Sequence, residues 1–185
     1  MALQEELKAQ GDWLFKNRSH LPLLLLGLGL SVFLHKEYHE IETPNTYLSE
    51  GIELLSLFTG LFGLGIRIFA VGHAAKDTSG RNTKVGQVAQ ELNTTGLYSV
   101  MRHPLYLGNF FMWLGVAMLT EHLWFIVSFV LFYAIYYMRI MYAEESFLRE
   151  KFGQVYIDWS EQVPAIIPSI KKYRKPEHPF NGKRV

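Results

Sequence analysis

The sequence contains no cysteine. This absence excludes disulfide bonds, thiolate metal ligands and cysteine nucleophiles, although it does not fix the cellular compartment. A strong charge of either sign is missing too, because 18 Lys and Arg residues are almost balanced by 17 Asp and Glu residues, which leaves a formal net charge of +1. A chain with so small a net charge has no global field that favours nucleic acid. We therefore expect no nucleic-acid partner.

The sequence also lacks the motifs of soluble nucleotide-binding folds and a clear metal site. No phosphate-binding P-loop is present, and no G-x-G-x-x-G segment follows a predicted strand. The seven histidines are scattered along the chain. His35 and His39 are four residues apart but have no evident third ligand in their acidic segment. We therefore expect no bound metal ion.

What the sequence does contain is apolar residues gathered into blocks. Of the 185 residues, 49% are hydrophobic, and they concentrate in four segments, residues 21–34, 51–72, 104–120 and 122–138. A helix needs roughly 20 apolar residues to cross a bilayer. The first block has 14 residues and reaches that length only if Arg18 and Lys36 extend their charged ends to the interface. A cleavable signal peptide is the alternative, but the acidic residues before the block and the lack of an A-x-A-like site favour an uncleaved span.

These blocks predict an all-α membrane protein with about four transmembrane helices in a single domain, residues 1–185. The third and fourth blocks contain 17 residues each without Asp, Glu, Lys or Arg and are separated by a single charged residue, Glu121, which predicts a tight helical hairpin. Basic residues mark the N-terminal segment, residues 73–103 and the last 42 residues, which hold eight Lys and Arg. Because cytoplasmic segments carry an excess of Lys and Arg, we predict that both termini and the middle connection are cytoplasmic.

The stretch YSVMRHPLYLGN, residues 98–109, connects the middle segment to the third predicted span. A proline suits the first turn of a helix, so Pro104 predicts the start of that span. Taken singly, His103 is typical of a residue that makes local hydrogen bonds at the start of a helix. Tyr98 and Tyr106 are typical of tyrosines that anchor a helix at the membrane interface. Glycines such as Gly108 let a backbone approach a ligand closely, and tyrosine rings can hold a cation. The combination therefore predicts a ligand site at the cytoplasmic face.

Arg67 is a charged residue inside the second predicted span. It lies about 9 Å from the end of that span at the rise of an α-helix. A guanidinium at this depth is costly unless it reaches the interface or meets an anion in a cavity. Because arginine binds carboxylate or phosphate through two N–H groups, the second reading predicts an anion site. The first reading, a side chain that extends to the interface, stays open.

The pair Glu144 and Glu145 follows the fourth predicted span. On its own, the pair is typical of a solvent-exposed helix end. After it, however, apolar residues recur at helical spacing, at Leu148, Phe152, Val155, Tyr156, Trp159 and Val163. This pattern predicts an amphipathic C-terminal helix that lies along the membrane surface and keeps the glutamates close to the motif.

Two segments together resemble a known superfamily. The first is TTGLYSVMRHPLYLGNF and the second is AEESFLREKFGQVYIDWSEQVPAIIP. They are similar to the isoprenylcysteine carboxyl methyltransferase and phospholipid methyltransferase superfamily, through the patterns G-x-Y-x-x-x-R-H-P-x-Y-x-G and E-E-x-x-L-x-x-x-F-G-x-x-Y. The resemblance covers about residues 60–170, and its motifs are specific to the superfamily but not to a substrate. Members are small integral membrane enzymes that use S-adenosylmethionine.

The resemblance implies a set of site residues. The cofactor S-adenosylmethionine would bind in a cytoplasmic loop and at the motif, through Gln90, Glu91, Leu92, Asn93, Tyr98, His103, Pro104, Leu105, Tyr106 and Glu144. Arg67 would act at the substrate end, and Arg139 matches a second substrate-end arginine more loosely. The implied partner is a lipid or a lipid-anchored molecule in a bacterial inner membrane, with the phosphate of lipid A as one candidate.

The chemistry of methyl transfer narrows the substrate but leaves two other functions open. A carboxylate or phosphate needs no general base, whereas an amine does, and His103 and the glutamates are the only evident bases. This favours an anionic head group held by Arg67. One alternative is an NADPH-dependent membrane lipid reductase of the sterol type, which has a similar R-H-P-x-Y-x-G segment, although Leu105 and Asn109 depart from its usual pattern. The other is a non-catalytic membrane protein in which the motif serves packing.

Overall fold

The computed structural model describes residues 2–18, 20–39, 46–75 and 87–185. Within these residues the chain forms six α-helices and no extended strand. The helices are α1 (Leu3–Lys16), α2 (His20–His39), α3 (Thr46–Gly72), α4 (Pro104–Met118), α5 (Leu123–Phe152) and α6 (Gln154–Gln162). The all-α prediction is confirmed for this part of the chain. The basic residues Lys76, Arg81 and Lys84 of the middle connection lie outside the described residues.

Two of these helices are long and apolar enough to cross a membrane, namely Ser49–Gly72 within α3 and Leu123–Phe152 of α5. Their apolar windows are only 22% and 28% buried inside the protein, so most of their side chains face outward. A core helix of a soluble protein would bury such residues, whereas a helix in lipid exposes them. Two shorter apolar helices, Leu23–His35 and Pro104–Met118, accompany them. We conclude that this is an integral membrane protein, while four complete spans and their orientation stay predictions.

The hairpin between α4 and α5 has the tight turn that the sequence predicted. Glu121 adopts a left-handed conformation with φ of 51°. The Thr120 hydroxyl donates to the carbonyl of Ala117 at 2.7 Å, and accepts from the amide of His122 at 3.3 Å. These bonds satisfy backbone groups at the helix ends that would otherwise lack partners.

Helix α5 is longer than the sequence predicted. It continues without interruption beyond the predicted span and ends at Gly153, whose φ of 56° favours glycine. Glu144 and Glu145 therefore lie within α5 and not after it. The extension carries both carboxylates, at fixed helical positions, to the start of α4.

Helices α3 and α4 are in direct backbone contact through glycines. A Cβ atom on Gly63 would lie 2.5 Å from the carbonyl oxygen of Gly108, and one on Gly115 would lie 2.5 Å from that of Ser56. Small residues at helix interfaces allow such close packing in membranes. This finding corrects the interpretation of Gly108 as a position of close ligand approach, because its own Cβ would meet Gly63 and Arg67 of α3. Gly108 serves helix packing.

Helix α1 packs against α5 with the same kind of close contact. A Cβ atom on Gly11 would lie 2.2 Å from the carbonyl oxygen of Arg139. Phe15 of α1 is buried in a cluster with aromatic residues of α5 that includes Tyr136 and Tyr137. The N-terminal helix is therefore a part of the bundle and fixes the residues that follow it.

Replacing Gly63 with alanine should destabilise the bundle, because the new methyl group would meet the backbone of α4, which cannot move aside as a side chain can. We expect a loss of about 1–3 kcal/mol in unfolding free energy, the usual cost of overpacking. Gly65→Ala is the matched control, since nothing lies within 4 Å of its Cβ position. It should be neutral or stabilising through the higher helix propensity of alanine. Thermal unfolding in detergent would measure both, and equal stability of the two variants would contradict the close α3–α4 contact.

Candidate active site

A cavity of about 730 Å³ lies among the ends of α3, α4, α5 and α6. This volume is typical of a site for a small organic ligand. We call loop 87–93 with His103, Tyr106 and Glu144 the outer end of the lining, and Arg18, Arg67 and Asn109 its inner end. The outer end contains the carboxylates of Glu91 and Glu144, and the inner end contains two guanidinium groups. Arg102 and Arg184 line the cavity as well.

His103 is buried between the two adjacent glutamates of α5. Its Nε2 atom lies 2.8 Å from Oε1 of Glu145, and its Nδ1 atom lies 3.7 Å from Oε2 of Glu144. The Tyr106 hydroxyl donates to the same Glu144 oxygen at 2.7 Å, and the Tyr106 ring stacks on the His103 ring. Side chains of neighbouring helical residues point in different directions. The His103 ring nevertheless contacts both carboxylates, because it lies between them.

Glu145 differs from Glu144 in that it does not line the cavity. Its Oε1 atom lies 2.9 Å from Nε of Arg102, which donates through Nη1 to the carbonyl of Ser160 at 2.7 Å. The backbone amides of Arg102 and His103 donate to the carbonyls of Pro164 and Ala165. Glu145 therefore connects the start of α4 to the segment after α6, while Glu144 faces the cavity.

Helix α6 forms a wall of the cavity. The sequence predicted an apolar stripe against the membrane surface, but Leu148 and Trp159 of that stripe line the cavity and Tyr156 is fully buried. Val155 has a relative exposure of 65% and faces outward. The turn at Gly153 directs α6 back towards α4, which explains why the stripe packs inward.

Tyr98 and Tyr156, which lie outside the apolar helices, keep their protons. Burial raises the pKa of the Tyr98 phenol, and the charge of Glu144 raises it further. Burial likewise raises the pKa of the Tyr156 phenol, with an additional contribution from the charge of Glu145. Both phenols are therefore neutral donors at physiological pH.

The C-terminal segment holds the outer end in place. The amide of Arg174 donates to the Ser99 hydroxyl at 2.9 Å, and the backbones of Gly96 and Arg174 form a bridge. The amide of Asn181 donates to the carbonyl of Gly72 at 2.9 Å. On the other side, Asn93 accepts from the amide of Ala75 at 2.8 Å. Loop 87–93 and the tail are thus both fastened at the end of α3.

The structure brings together nearly all of the residues that the sequence predicted for a site. The ten residues predicted to bind the cofactor and Arg67 all line the cavity. Arg67 donates to the side-chain oxygen of Asn109. Arg139 is not among the lining residues, because it donates to the side chain of Gln10 and to the carbonyl of Ile135. Eleven of the twelve predicted residues thus line one cavity, and their roles stay predictions.

The cavity is also lined by residues that the sequence did not predict for the site, and three of these stand out. Arg18, Gln87 and Trp159 each have a buried side-chain nitrogen with no acceptor among the described residues. A buried unpaired donor costs about 1–3 kcal/mol. Trp159 belonged to the apolar stripe, and Arg18 was noted only as a residue at the edge of the first span. No sequence signal identified Gln87. Three such donors in one cavity fit a ligand that supplies acceptors.

The fold and the site define a class of protein, namely a helical membrane protein with a ligand-sized cavity beside the stretch at residues 98–109. The family model described as phospholipid methyltransferase matches residues 55–155, which is more than half of the chain. The chain belongs to this family, and the resemblance seen in the sequence is confirmed.

Curated relatives show the same relationship. The cobalt-zinc-cadmium resistance protein CzcN of Cupriavidus metallidurans is 31% identical over 127 residues, which cover 68% of this chain and 56% of that protein. The nickel-cobalt-cadmium resistance protein NccN of Alcaligenes xylosoxydans xylosoxydans is 33% identical over 89 residues, or 48% of this chain and 41% of that protein. A protein-S-isoprenylcysteine O-methyltransferase of Tribolium castaneum is 35% identical over 83 residues, which cover 45% of this chain and 30% of that protein.

The chain therefore spans between 30% and 56% of the length of these three relatives. No solved structure matches the chain. Among the described residues, no group of three or more His, Asp or Glu side chains is placed to hold a metal ion.

Replacing Glu145 with glutamine should destabilise the site. The change removes the carboxylate that faces both His103 and Arg102 and leaves the guanidinium partly buried beside a neutral group. Hydrogen bonds to charged groups contribute about 1.5–3 kcal/mol, and we expect a loss of this size in unfolding free energy. Glu161→Gln on the exposed face of α6 is the matched control and should change stability little. Thermal unfolding of the two variants tests this, and a fully stable Glu145→Gln protein would contradict the connecting role of Glu145.

Proposed function

We propose that this protein is an S-adenosylmethionine-dependent methyltransferase that acts at the membrane–cytoplasm interface on an anionic group of a lipid-borne substrate. The observation that supports the proposal most directly is the cavity itself. Segments far apart in sequence, namely residue 67, loop 90–93, the motif at 98–106 and Glu144, line one space in a member of the phospholipid methyltransferase family. We propose four spans and cytoplasmic termini in a bacterial inner membrane as its setting.

The outer end of the cavity fits the cofactor chemically. When bound, S-adenosylmethionine supplies an electrophilic methyl group on a positively charged sulfur. The Glu144 carboxylate and the faces of Tyr98 and Tyr106 suit its cationic parts. The unpaired donors of Gln87 and Trp159 suit its nitrogen and oxygen acceptors. Loop 90–93 would close over it.

The polar groups of the site support an acceptor that is already an anion. His103 is engaged by Glu145 through Nε2, and Glu144 is engaged by Tyr106. Neither residue belongs to the inner end, where an acceptor amine would have to lose its proton. Arg67 at that end can instead hold a carboxylate or phosphate through its guanidinium. Reaction would then depend on placing the two partners together away from water.

The lipid that presents the anion belongs to the same proposal. The relative from Tribolium castaneum is named for O-methylation of an isoprenylcysteine, which is an oxygen acceptor on a lipid-modified protein. An acceptor oxygen on a lipid or lipid-anchored molecule, including the phosphate of lipid A, fits an inner end that lies beside outward-facing apolar helices. Lateral entry from the bilayer would bring such a head group to Arg67.

Calorimetric titration with S-adenosylhomocysteine in detergent is the first test. We expect binding, and we expect Glu144→Gln and Tyr106→Phe each to weaken it about tenfold or more, since each removes a bond that involves a charged group. Glu161→Gln should bind as the unchanged protein does. Binding of NADPH without binding of S-adenosylhomocysteine would instead support the reductase alternative. Binding of neither by a folded sample would support the non-catalytic one.

Arg67→Gln should separate substrate binding from cofactor binding. Because Arg67 lies at the inner end, we expect transfer of a labelled methyl group to a bacterial lipid extract to fall at least tenfold, the scale of one charged hydrogen bond. The affinity for S-adenosylhomocysteine should stay the same. Arg67→Lys should recover part of the transfer, because it restores the charge without the two-pronged geometry. Full transfer by Arg67→Gln would exclude Arg67 from acceptor binding.

A further inference from the structure

Arg18 is a cavity residue that lies outside the region shared with the family. It follows α1 and precedes α2, whereas the family match begins at residue 55. Close packing of α1 on α5, through Gly11 and Phe15, fixes its position. Arg18 and Arg67 therefore line the same cavity although they come from unrelated parts of the chain.

An ordinary structural role accounts for only part of the Arg18 side chain. Its Nη1 atom donates to the carbonyl of Phe15 at 2.9 Å, and its guanidinium carbon lies 4.0 Å from the centre of the Phe15 ring. These contacts close the end of α1. They leave Nη2 buried with no acceptor among the described residues. A residue that only caps a helix needs no further N–H donor. A residue that binds an anion needs an N–H group that is free to donate to it.

The inner end has an excess of positive charge. Arg18 and Arg67 line the same cavity, and the charges of both act on the Tyr137 side chain of α5. Their described bonds are to neutral groups, the Phe15 carbonyl and the Asn109 side chain. Among the described residues, the acidic side chains that line the cavity are Glu91 and Glu144, and both belong to the outer end. The charge of Arg18 also acts on Tyr106, which donates a hydrogen bond to Glu144.

We propose that Arg18 and Arg67 together bind the doubly charged phosphate of a phosphomonoester lipid, and that Arg18 is the residue that selects phosphate over carboxylate. The proposal rests on the proposed function and names its acceptor class. A phosphate monoester has a second pKa of about 6 and so approaches two negative charges near neutral pH. Two guanidinium groups match that charge, whereas a singly charged carboxylate would leave one guanidinium group without a counter-charge.

The geometry also favours a lipid over free phosphate as the source of the anion. The inner end is bordered by α3 and α4, and α3 exposes most of its apolar side chains to the outside. A lipid can therefore present its head group to Arg67 while its chains remain beside these helices. Inorganic phosphate has no such anchor and should bind much more weakly.

Binding of defined lipids to the detergent-purified full chain tests the proposal. The probes are phosphatidic acid as the phosphomonoester, phosphatidylglycerol as a singly charged phosphodiester, oleate as a carboxylate and inorganic phosphate as the free anion. Affinity is read from the concentration dependence of thermal stabilisation. Arg18→Gln, Arg18→Lys and the control Lys16→Gln are compared, the last being an exposed lysine on α1 that loses the same charge. Titration with S-adenosylhomocysteine reports in each case whether the outer end is intact.

We expect phosphatidic acid to bind at least tenfold more tightly than the other three probes. Arg18→Gln should lower the affinity for phosphatidic acid about tenfold and remove the preference for it over oleate. Lys16→Gln should keep the affinity and the preference, and Arg18→Lys should have an affinity between those of Arg18→Gln and the unchanged chain. Unchanged binding in Arg18→Gln, or tighter binding of oleate than of phosphatidic acid by the unchanged chain, would overturn the proposal. Loss of S-adenosylhomocysteine binding alone, with phosphatidic acid binding retained, would remove the methyltransferase function and leave the phosphate site standing.

Discussion

The contact of His103 with two adjacent carboxylates is the interaction on which the site depends. Pro104 begins α4 directly after the histidine, and Glu144 and Glu145 lie on the last turns of α5. One buried imidazole therefore joins the start of one apolar helix to the extension of another. Because the two carboxylates differ in direction, one engages Arg102 and the other faces the cavity. The connecting contact and the cavity-facing position are thus divided between neighbouring residues.

This division explains why the cavity has two chemically different ends. The outer end is built from polar loops, the tail and the turn after α5, which are held by backbone hydrogen bonds. The inner end is built from side chains on helices that pack through glycine, where backbones touch and leave little room for adjustment. A cofactor with many polar groups suits the first end. A head group attached to apolar chains suits the second.

The sequence predicted the local features well and the distant contacts poorly. Apolar blocks identified the helices, because this signal depends on residue type and short spacing. The resemblance of the motif and the glutamate pair to the superfamily identified eleven of the lining residues. The direction of Arg139 depends on α1, whose packing on α5 has no signature in a sequence beyond Gly11. Likewise the inward face of α6 depends on the turn at Gly153, since an amphipathic stripe has the same period whether it meets lipid or protein.

The proposed role of Arg18 would explain how substrate choice differs among members of one family. The family region supplies the motif, the glutamates and Arg67, and these are sufficient for the outer end and for one cation at the inner end. The second cation comes from a helix that precedes this region and is fixed to it only by packing. A relative with a different N-terminal segment could keep the outer end unchanged and present one positive charge in place of two. Since two guanidinium groups match a doubly charged acceptor better than a singly charged one, the N-terminal segment is the part of the chain on which discrimination between phosphate and carboxylate would depend.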